Sequence, residues 1–532
     1  MKNLVFIMVA IGYSTSWAVF GPNVRVDHQN LPNHIVCHSA ITIGPLDSLL
    51  PPIYVVFQDD SLDGFVTVRS DIYFQKSTDG GTTFLPQDIL IKRGETFACY
   101  PDIITDREGN IYIVYTERIT GPSLGHIYCT RSTDQGTTWS TPTRIDDCLS
   151  AVMVGWAKIA VDTGGSLFVA WNDGRTPYLH IWSSVSSNGG RTWRTNVRVS
   201  DDTISSDRYQ PDVAVCPRTN SYLVVFSSPC YVQPNLITNN SVFTKSIDGG
   251  ITFLPTVVLD TFTNYCGQPH IVAGEDFYVA SYSGYNGGQQ IHSQARTSTD
   301  FGTNWTPPVP LTNLDTFYSS YYNGAKLAID PNGYVHTALM VCDIVSWNYE
   351  IYYAFSSDCG LTWSEREIVN EAVAAEQFDP DLAVDLLGFA YIVFEDRRNH
   401  RSEIWFATNR PLALLEQKAK VSNSALIAIP TVFRDKTSIR LLTEPEYRER
   451  PIRETKNPIT NLNIYNSTGK LIRKLTSQSG ENAPYSTKIL DCQSFVWNGC
   501  DDYGFRCSPG VYLIKAAKSN QVIASSKVVL LP

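Results

Sequence analysis

The sequence predicts an all-β protein made by repetition, and three observations carry that prediction. An eight-residue stretch, Ser77-Thr78-Asp79-Gly80-Gly81-Thr82-Thr83-Phe84 in its first copy, occurs six times, centred on Asp79, Asp134, Asn188, Asp248, Asp300 and Asp358. Successive centres lie 55, 54, 60, 52 and 58 residues apart, the spacing of one supersecondary unit with loops of variable length. Alternating apolar runs precede the copies, as Asp71-Ile72-Tyr73-Phe74 precedes the first, and that period is a strand's.

A fuller pattern lies upstream of each copy. In the second unit, Pro101 to Thr105 reads as strand A, Asp106 to Gly109 as a turn, Asn110 to Arg118 as strand B, and His126-Ile127-Tyr128 as strand C. The repeated stretch then turns the chain into strand D, and four strands make one blade. A last unit, from Asp379 to Phe406, has strands A, B and C but no repeated stretch and no strand D. The missing strand lies at the other end: Asn23-Val24-Arg25-Val26-Asp27 matches the strand D segment Asn196-Val197-Arg198-Val199-Ser200. The sequence therefore predicts a seven-bladed β-propeller over residues 19–410, whose amino-terminal strand completes the seventh blade and closes the ring, leaving no open edge.

Within each copy the Asp and Ser/Thr oxygens are placed to accept backbone N–H groups, glycine supplies φ > 0, and the final Phe or Trp fills between layers. Asn188 keeps the acceptor oxygen without the charge, which a turn tolerates and a metal site does not. No Lys-Ser/Thr follows the glycines, so they make no phosphate loop. The stretch resembles the Asp-box, or bacterial neuraminidase repeat, of sialidases and other β-propellers, over roughly residues 23 to 408. The resemblance implies a propeller and does not by itself imply sialidase chemistry.

The two ends read differently. Lys2, the apolar run Leu4 to Ile11 and Ser16-Trp17-Ala18 have the form of a secretory signal peptide over residues 1–18, and no stretch is long enough for a transmembrane segment. The expectation is a secreted or cell-surface protein. After a linker at 411–422, residues 423–532 read as short strands joined by turns, which suits a small β-sandwich. Trp497-Asn498-Gly499-Cys500-Asp501-Asp502-Tyr503-Gly504 and Pro509-Gly510-Val511-Tyr512 resemble the FlgD-like, immunoglobulin-type domains and the carboxy-terminal sorting domains of bacterial type IX secretion. That resemblance implies an attachment module whose partner is the bacterial export machinery; a plain spacer is the other reading.

A net charge of -10 argues against nucleic acid or an anionic membrane as partner. Twelve cysteines fit an oxidising destination without fixing a pairing, and Cys500 and Cys507, flanking a tight turn, are the expected disulfide. No cofactor and no metal is expected, because the nine histidines show no zinc spacing.

Strand order puts the B–C loops and D–A entries on one rim, where polar groups collect: Asp59, Asp60, Tyr100, Asp102, Glu117, Arg118, Trp156, Lys158, Asp173, Arg175, Asp212, His270, Lys326, Asp343, Asp396, Arg397 and Arg398. Rings that stack on a sugar and arginines that grip a carboxylate suit a glycan or another extracellular ligand, for which Glu117, Arg118, Trp156, Asp173, Arg175, Asp396, Arg397 and Arg398 are the candidates. The opposing reading is structural: Asp-x-Arg and Glu-Arg recur at the end of strand B in three units, and a recurring pair knits a repeat together. A sialidase needs an arginine cluster, an activated tyrosine and an aspartate. Asp59 or Asp60 and Tyr321 or Tyr322 are the candidates for those last two roles, but the Phe/Tyr-Arg-Ile-Pro motif is absent and seven blades differ from that family's six. Three functions stay open: a non-catalytic glycan binder, a sialidase-type hydrolase, and an architectural surface or adhesin component.

Overall fold

The structure is a computed structural model that describes residues 20–410 apart from 30–32, 45–50, 64–65, 95–96, 121–123, 202–205, 234–235, 261–264, 286–291, 312–316, 320–323, 344–347 and 372–374. Beyond these it describes 424–429, 432–433, 437–443, 461–466, 470–475, 491–502, 504–508, 510–518 and 521–530. The chain divides into two compact units, one of Ala18–Leu46 with Leu50–Pro411 and the other built on Leu412–Pro532. Every helix or strand element among the described residues is a β-strand.

In the first unit the innermost strands are His34–Ile43, Phe97–Thr105, Val152–Val161, Tyr209–Val215, Tyr265–Ala273, Lys326–Ile329 and Gln377–Val384. Each begins an antiparallel sheet that runs outwards in chain order. Val152–Val161 pairs with Leu167–Asp173, that with His180–Ser186, and that with Val197–Arg198. Neighbouring innermost strands lie side by side, and Gln377–Val384 lies beside His34–Ile43.

Second strands are apolar on both faces because each sheet is sandwiched between two others. Leu167–Asp173 and Ala390–Asp396 are buried at every position. Alternation divides them between two cores: Val55 and Phe57 pack with Val393 and Phe406, while Tyr54 and Val56 pack with Ile111 and Ile113. Each fully buried side chain of this size contributes about 1.5–3 kcal/mol.

The strand Val24–Arg25 pairs with Glu403–Thr408, Arg25 opposite Trp405, just as Arg198 lies opposite Trp182 in its own sheet. Asn23 Nδ2 donates to the Val369 carbonyl at 3.1 Å, and Asn196 Nδ2 to that of Ile145 at 3.0 Å. The amino-terminal segment thus holds, in the last sheet, the place that 197–198 holds in an earlier one.

The repeated stretch forms one turn wherever it occurs. In the copy at Asp134, the Ser132 hydroxyl donates to Asp134 Oδ1 at 2.7 Å and accepts the Gly136 N–H at 2.8 Å. Asp134 then accepts the N–H of Thr138 at 2.9 Å and its hydroxyl at 2.6 Å. Asn188 makes the same turn with one bond reversed, its Nδ2 donating to Thr192 Oγ1 at 2.8 Å. Gly136 needs to be glycine twice over: its φ is +84°, and a Cβ would sit 2.5 Å from Phe74 of the neighbouring sheet. Trp139, ending the same stretch, meets Phe74 edge-on at 5.1 Å.

In the second unit Ser424–Ile429, Thr437–Thr443 and Asp491–Trp497 form one sheet. Val432–Phe433, Gln521–Leu530, Gly510–Lys518, Asn461–Asn466 and Leu471–Leu475 form another. Trp497 of the first lies edge-on to Tyr512 of the second at 4.9 Å. The expected disulfide is not formed, and Cys500 and Cys507 carry free thiols.

Candidate functional site

Six innermost strands carry a β-bulge at one level. Register slips between Cys37 and Ala40, Cys99 and Asp102, Gly155 and Lys158, Tyr209 and Asp212, Gly267 and His270, and Phe378 and Asp381. Inside each slip one non-glycine residue has a left-handed backbone: His38 (49°), Tyr100 (54°), Trp156 (50°), Gln210 (55°), Gln268 (44°) and Asp379 (46°). Each costs about 1–3 kcal/mol, so something must hold it. Neighbouring sheets supply acceptors: the N–H of Tyr100 donates to Gln58 Oε1 (3.0 Å), of Gln210 to Asn172 Oδ1 (3.2 Å), of Gln268 to Gln210 Oε1 (3.2 Å), and of His38 to Glu395 Oε1 (3.3 Å).

Bulges re-aim side chains, and here they line up an arc. Asp379 Oδ2 lies 3.6 Å from His38 Nδ1, the His38 ring is 5.0 Å from that of Tyr100, and Tyr100 stacks on Trp156 at 4.9 Å and 25°. Trp156 is 37% exposed, and the Arg118 guanidinium lies 5.6 Å from the Tyr100 ring centre. One end of the arc is charged and the other is an open aromatic face.

Two residues further along five of these strands, Asp102, Lys158, Asp212, His270 and Asp381 line a cavity of about 360 Å³ together with Lys326 of the remaining innermost strand. Lys158 Nζ bonds Asp102 Oδ1 at 3.0 Å, Asp102 Oδ2 accepts the N–H of Ile159 (3.0 Å), and Asp212 Oδ2 accepts that of Ile271 (2.9 Å), each in the next sheet. Asp381 accepts that of Ile41 at 2.9 Å. Burial pushes Asp102 up, yet Asp102 holds Lys158 charged and above its ordinary value despite burial. His270 Nδ1 is 3.3 Å from Asp212; burial, and then Lys326, drop the imidazole to about 4. Burial opposes ionisation of Asp212 too, but the bond from His270 and the charges of His270, Lys158 and Lys326 together outweigh it and hold the carboxyl at about 2. Above about pH 4 the pair is a neutral imidazole donating to a carboxylate. Lys326 is lowered by burial and then by Lys158.

The expected site residues separate into two groups. Trp156 and Arg118 belong to the arc. Asp173 is wholly buried and takes a two-pronged ion pair from Arg175 (3.0 and 2.7 Å), which also reaches Asn196 at 2.9 Å and Asp147 at 2.6 Å and stacks 4.1 Å over Trp182. Asp396 and Arg398 repeat the clamp with Asn23 and Trp405. Both arginines are committed to holding strands together. Glu117 is taken by Lys92 at 2.6 Å, and Arg397 pairs with Glu376 at 3.1 Å above Phe378. Asp59, raised by burial, accepts His34 at 2.9 Å; Asp60 accepts Gln58 Nε2 at 2.7 Å and Ser70 Oγ at 2.5 Å. Tyr321 and Tyr322 lie outside the described residues.

Sequence reasoning missed His38, Asp379 and Glu395. Glu395 accepts the Ser402 hydroxyl at 2.8 Å as well as the His38 N–H, and burial, then the charge of Asp379, push it up to about 8. A signal existed: Tyr100, Gln210, Gln268 and Asp379 each precede a proline two residues before a cavity-lining side chain.

No family model matches the chain, and no curated protein matches it. Similar solved structures include a protein of unknown function from Dyadobacter fermentans, 13% identical, covering 74% of this chain and 98% of its own with a TM-score of 0.47. A polysaccharide lyase of family PL25, an ulvan lyase bound to a GlcA(1-4)Rha3S unit, is 11% identical over 74% and 99%, with a TM-score of 0.49. The GH93 α-L-arabinofuranosidase of Fusarium graminearum with arabinobiose is 12% identical over 74% and 98%, with a TM-score of 0.42.

Proposed function

We propose that the chain is an exported, sialidase-like Asp-box propeller that binds a glycan on the bulge-side mouth of its central cavity without turning it over. In this reading residues 19–410 are a closed, seven-bladed ring, and the pairing of Val24–Arg25 with Glu403–Thr408 supports closure. Residues 1–18 are a signal peptide, and 423–532 are an immunoglobulin-type module engaging a bacterial export machinery, which makes the protein secreted or surface-held.

The observation that carries the binding function is the exposed face of Trp156, stacked on Tyr100 and flanked by Arg118, at the end of a strained arc. An aromatic face takes the apolar side of a sugar ring, and backbone strain of this kind gathers at ligand sites. The test is a glycan array and a titration with Trp156→Ala beside a fluorogenic sialoside assay. Array binding that weakens about tenfold or more in the variant, with no fluorophore release, supports the proposal. Binding indifferent to Trp156, or turnover, sinks it.

One observation favours hydrolysis as a second reading: Asp379 and Glu395 both contact His38, and Glu395 holds its proton to about pH 8, as a general acid must. An architectural role has no such local support.

A further inference from the structure

Resting on the glycan reading above, we infer that the cavity below the arc is a subsite for the hydroxyl groups of a neutral sugar, with Lys326, His270 and Asp381 as its polar contacts. The ring of side chains is nearly all paired off, and what is left over points to a ligand. Lys158 is spent on Asp102. Among the described residues Lys326 has no hydrogen-bond or ion-pair partner. His270 is 8% exposed, its Nδ1 is spent on Asp212, and its Nε2 is buried without a partner. A buried nitrogen left in that state costs about 1–3 kcal/mol, and with the imidazole neutral it is an acceptor. Asp381 uses one oxygen on Ile41.

The leftover set therefore mixes a donor, Lys326, with acceptors, His270 Nε2 and the second oxygens of Asp212 and Asp381. A hydroxyl both donates and accepts, so it complements such a mixture; a carboxylate or sulfate only accepts. Charge agrees. Three carboxylates face two ammonium groups and a neutral imidazole, so the ring carries one net negative charge and disfavours an anion. Size agrees as well, since about 360 Å³ is at the small end of the roughly 300–1,000 Å³ of ligand pockets.

Where the other innermost strands place a bulge side chain, the strand of Lys326 has Gly324, and a Cβ there would collide with the Gln268 carbonyl. Gly324 thus packs directly against the backbone of the neighbouring innermost strand.

The test is calorimetric titration of the full chain with neutral di- to tetrasaccharides of hexoses and pentoses, and with the same sugars ending in a uronic acid. Neutral sugars should bind, the uronates at least about tenfold more weakly, and Lys326→Met should cost neutral binding about tenfold or more. Should Lys326→Met fail to fold, Asp381→Asn, which retains an acceptor for Ile41, replaces it with the same expectation. Binding that needs Trp156 but ignores Lys326 and Asp381, or uronates that bind as tightly as neutral sugars, overturns the subsite and spares the mouth. No binding by any oligosaccharide overturns both.

Discussion

Glu395 makes the stability of this protein depend on pH in a way that a single substitution should remove. The unfolded carboxyl titrates near 4.5 and the folded one near 8, because burial and then Asp379 disfavour its charge. Below pH 4.5 both states hold the proton and the group contributes no slope. Between 4.5 and 8 the folded state keeps a proton that the unfolded state has released, so stability falls with rising pH at about 1.4 kcal/mol per unit, and above 8 the loss is complete. The whole fall is about 5 kcal/mol. Glu395→Gln imitates the protonated form: Oε1 still accepts the His38 N–H, and the amide nitrogen faces the Ser402 hydroxyl, which then accepts. Urea unfolding of parent and variant from pH 5 to 9 measures the difference, which cancels contributions from every other buried acid. The variant should gain on the parent steadily as pH rises and be the more stable of the two by a few kcal/mol at pH 8. Parallel curves would falsify the assignment of a neutral Glu395.

Two further substitutions separate scaffold from site. Arg175→Ala strands a wholly buried Asp173 and should cost about 3–5 kcal/mol in urea unfolding while leaving oligosaccharide affinity unchanged in folded protein; lost affinity at full stability would make Arg175 a ligand contact. Asp134→Asn should melt slightly below the parent at neutral pH, as Asn188 already serves in one copy, whereas Asp134→Ala should melt clearly lower. The bonds from Thr138 hold Asp134 at about 2, so the charge it loses to asparagine supports folding above the ordinary carboxylate range and is lost as pH falls towards 2; thermal melts in acid should converge for parent and Asp134→Asn.

Repetition is what made the scaffold readable. Each copy of the turn solves the same local problem with the same hydrogen bonds, so its residues recur and its position counts the sheets. The match between Asn23-Val24-Arg25 and Asn196-Val197-Arg198 was legible because both segments make the same bonds: each asparagine reaches a carbonyl of the preceding sheet and receives the clamp arginine, Arg398 or Arg175. The bulges left a fainter trace, a proline after the left-handed residue in four of the six. Their left-handed positions are filled by His, Tyr, Trp, Gln and Asp, none marked by the glycine that usually announces φ > 0, because side chains from the sheet next door stabilise the conformation. The state of Glu395 was equally hidden, since it depends on Asp379 and on burial that forms only when the last innermost strand lies against the first.

The same logic says where in a repeat protein to look for function. A position that recurs in satisfied form, such as Asp173 with Arg175 and Asp396 with Arg398, is explained by the repeat and requires no ligand. At the cavity level the repeat departs from itself: Asp102 and Asp212 each face a basic residue on the next strand, but Asp381 meets the backbone N–H of Ile41, and Lys326 follows His270 rather than an acid. That offset leaves Lys326, among the described residues, without a hydrogen-bond or ion-pair partner and Asp381 with one oxygen used, on adjacent strands. Evenly paired charges would stabilise the ring better, so the mismatch costs stability that a structural role cannot repay. A bound polyol, donating to the carboxylate and accepting from the ammonium, completes the pairing that the chain leaves unfinished.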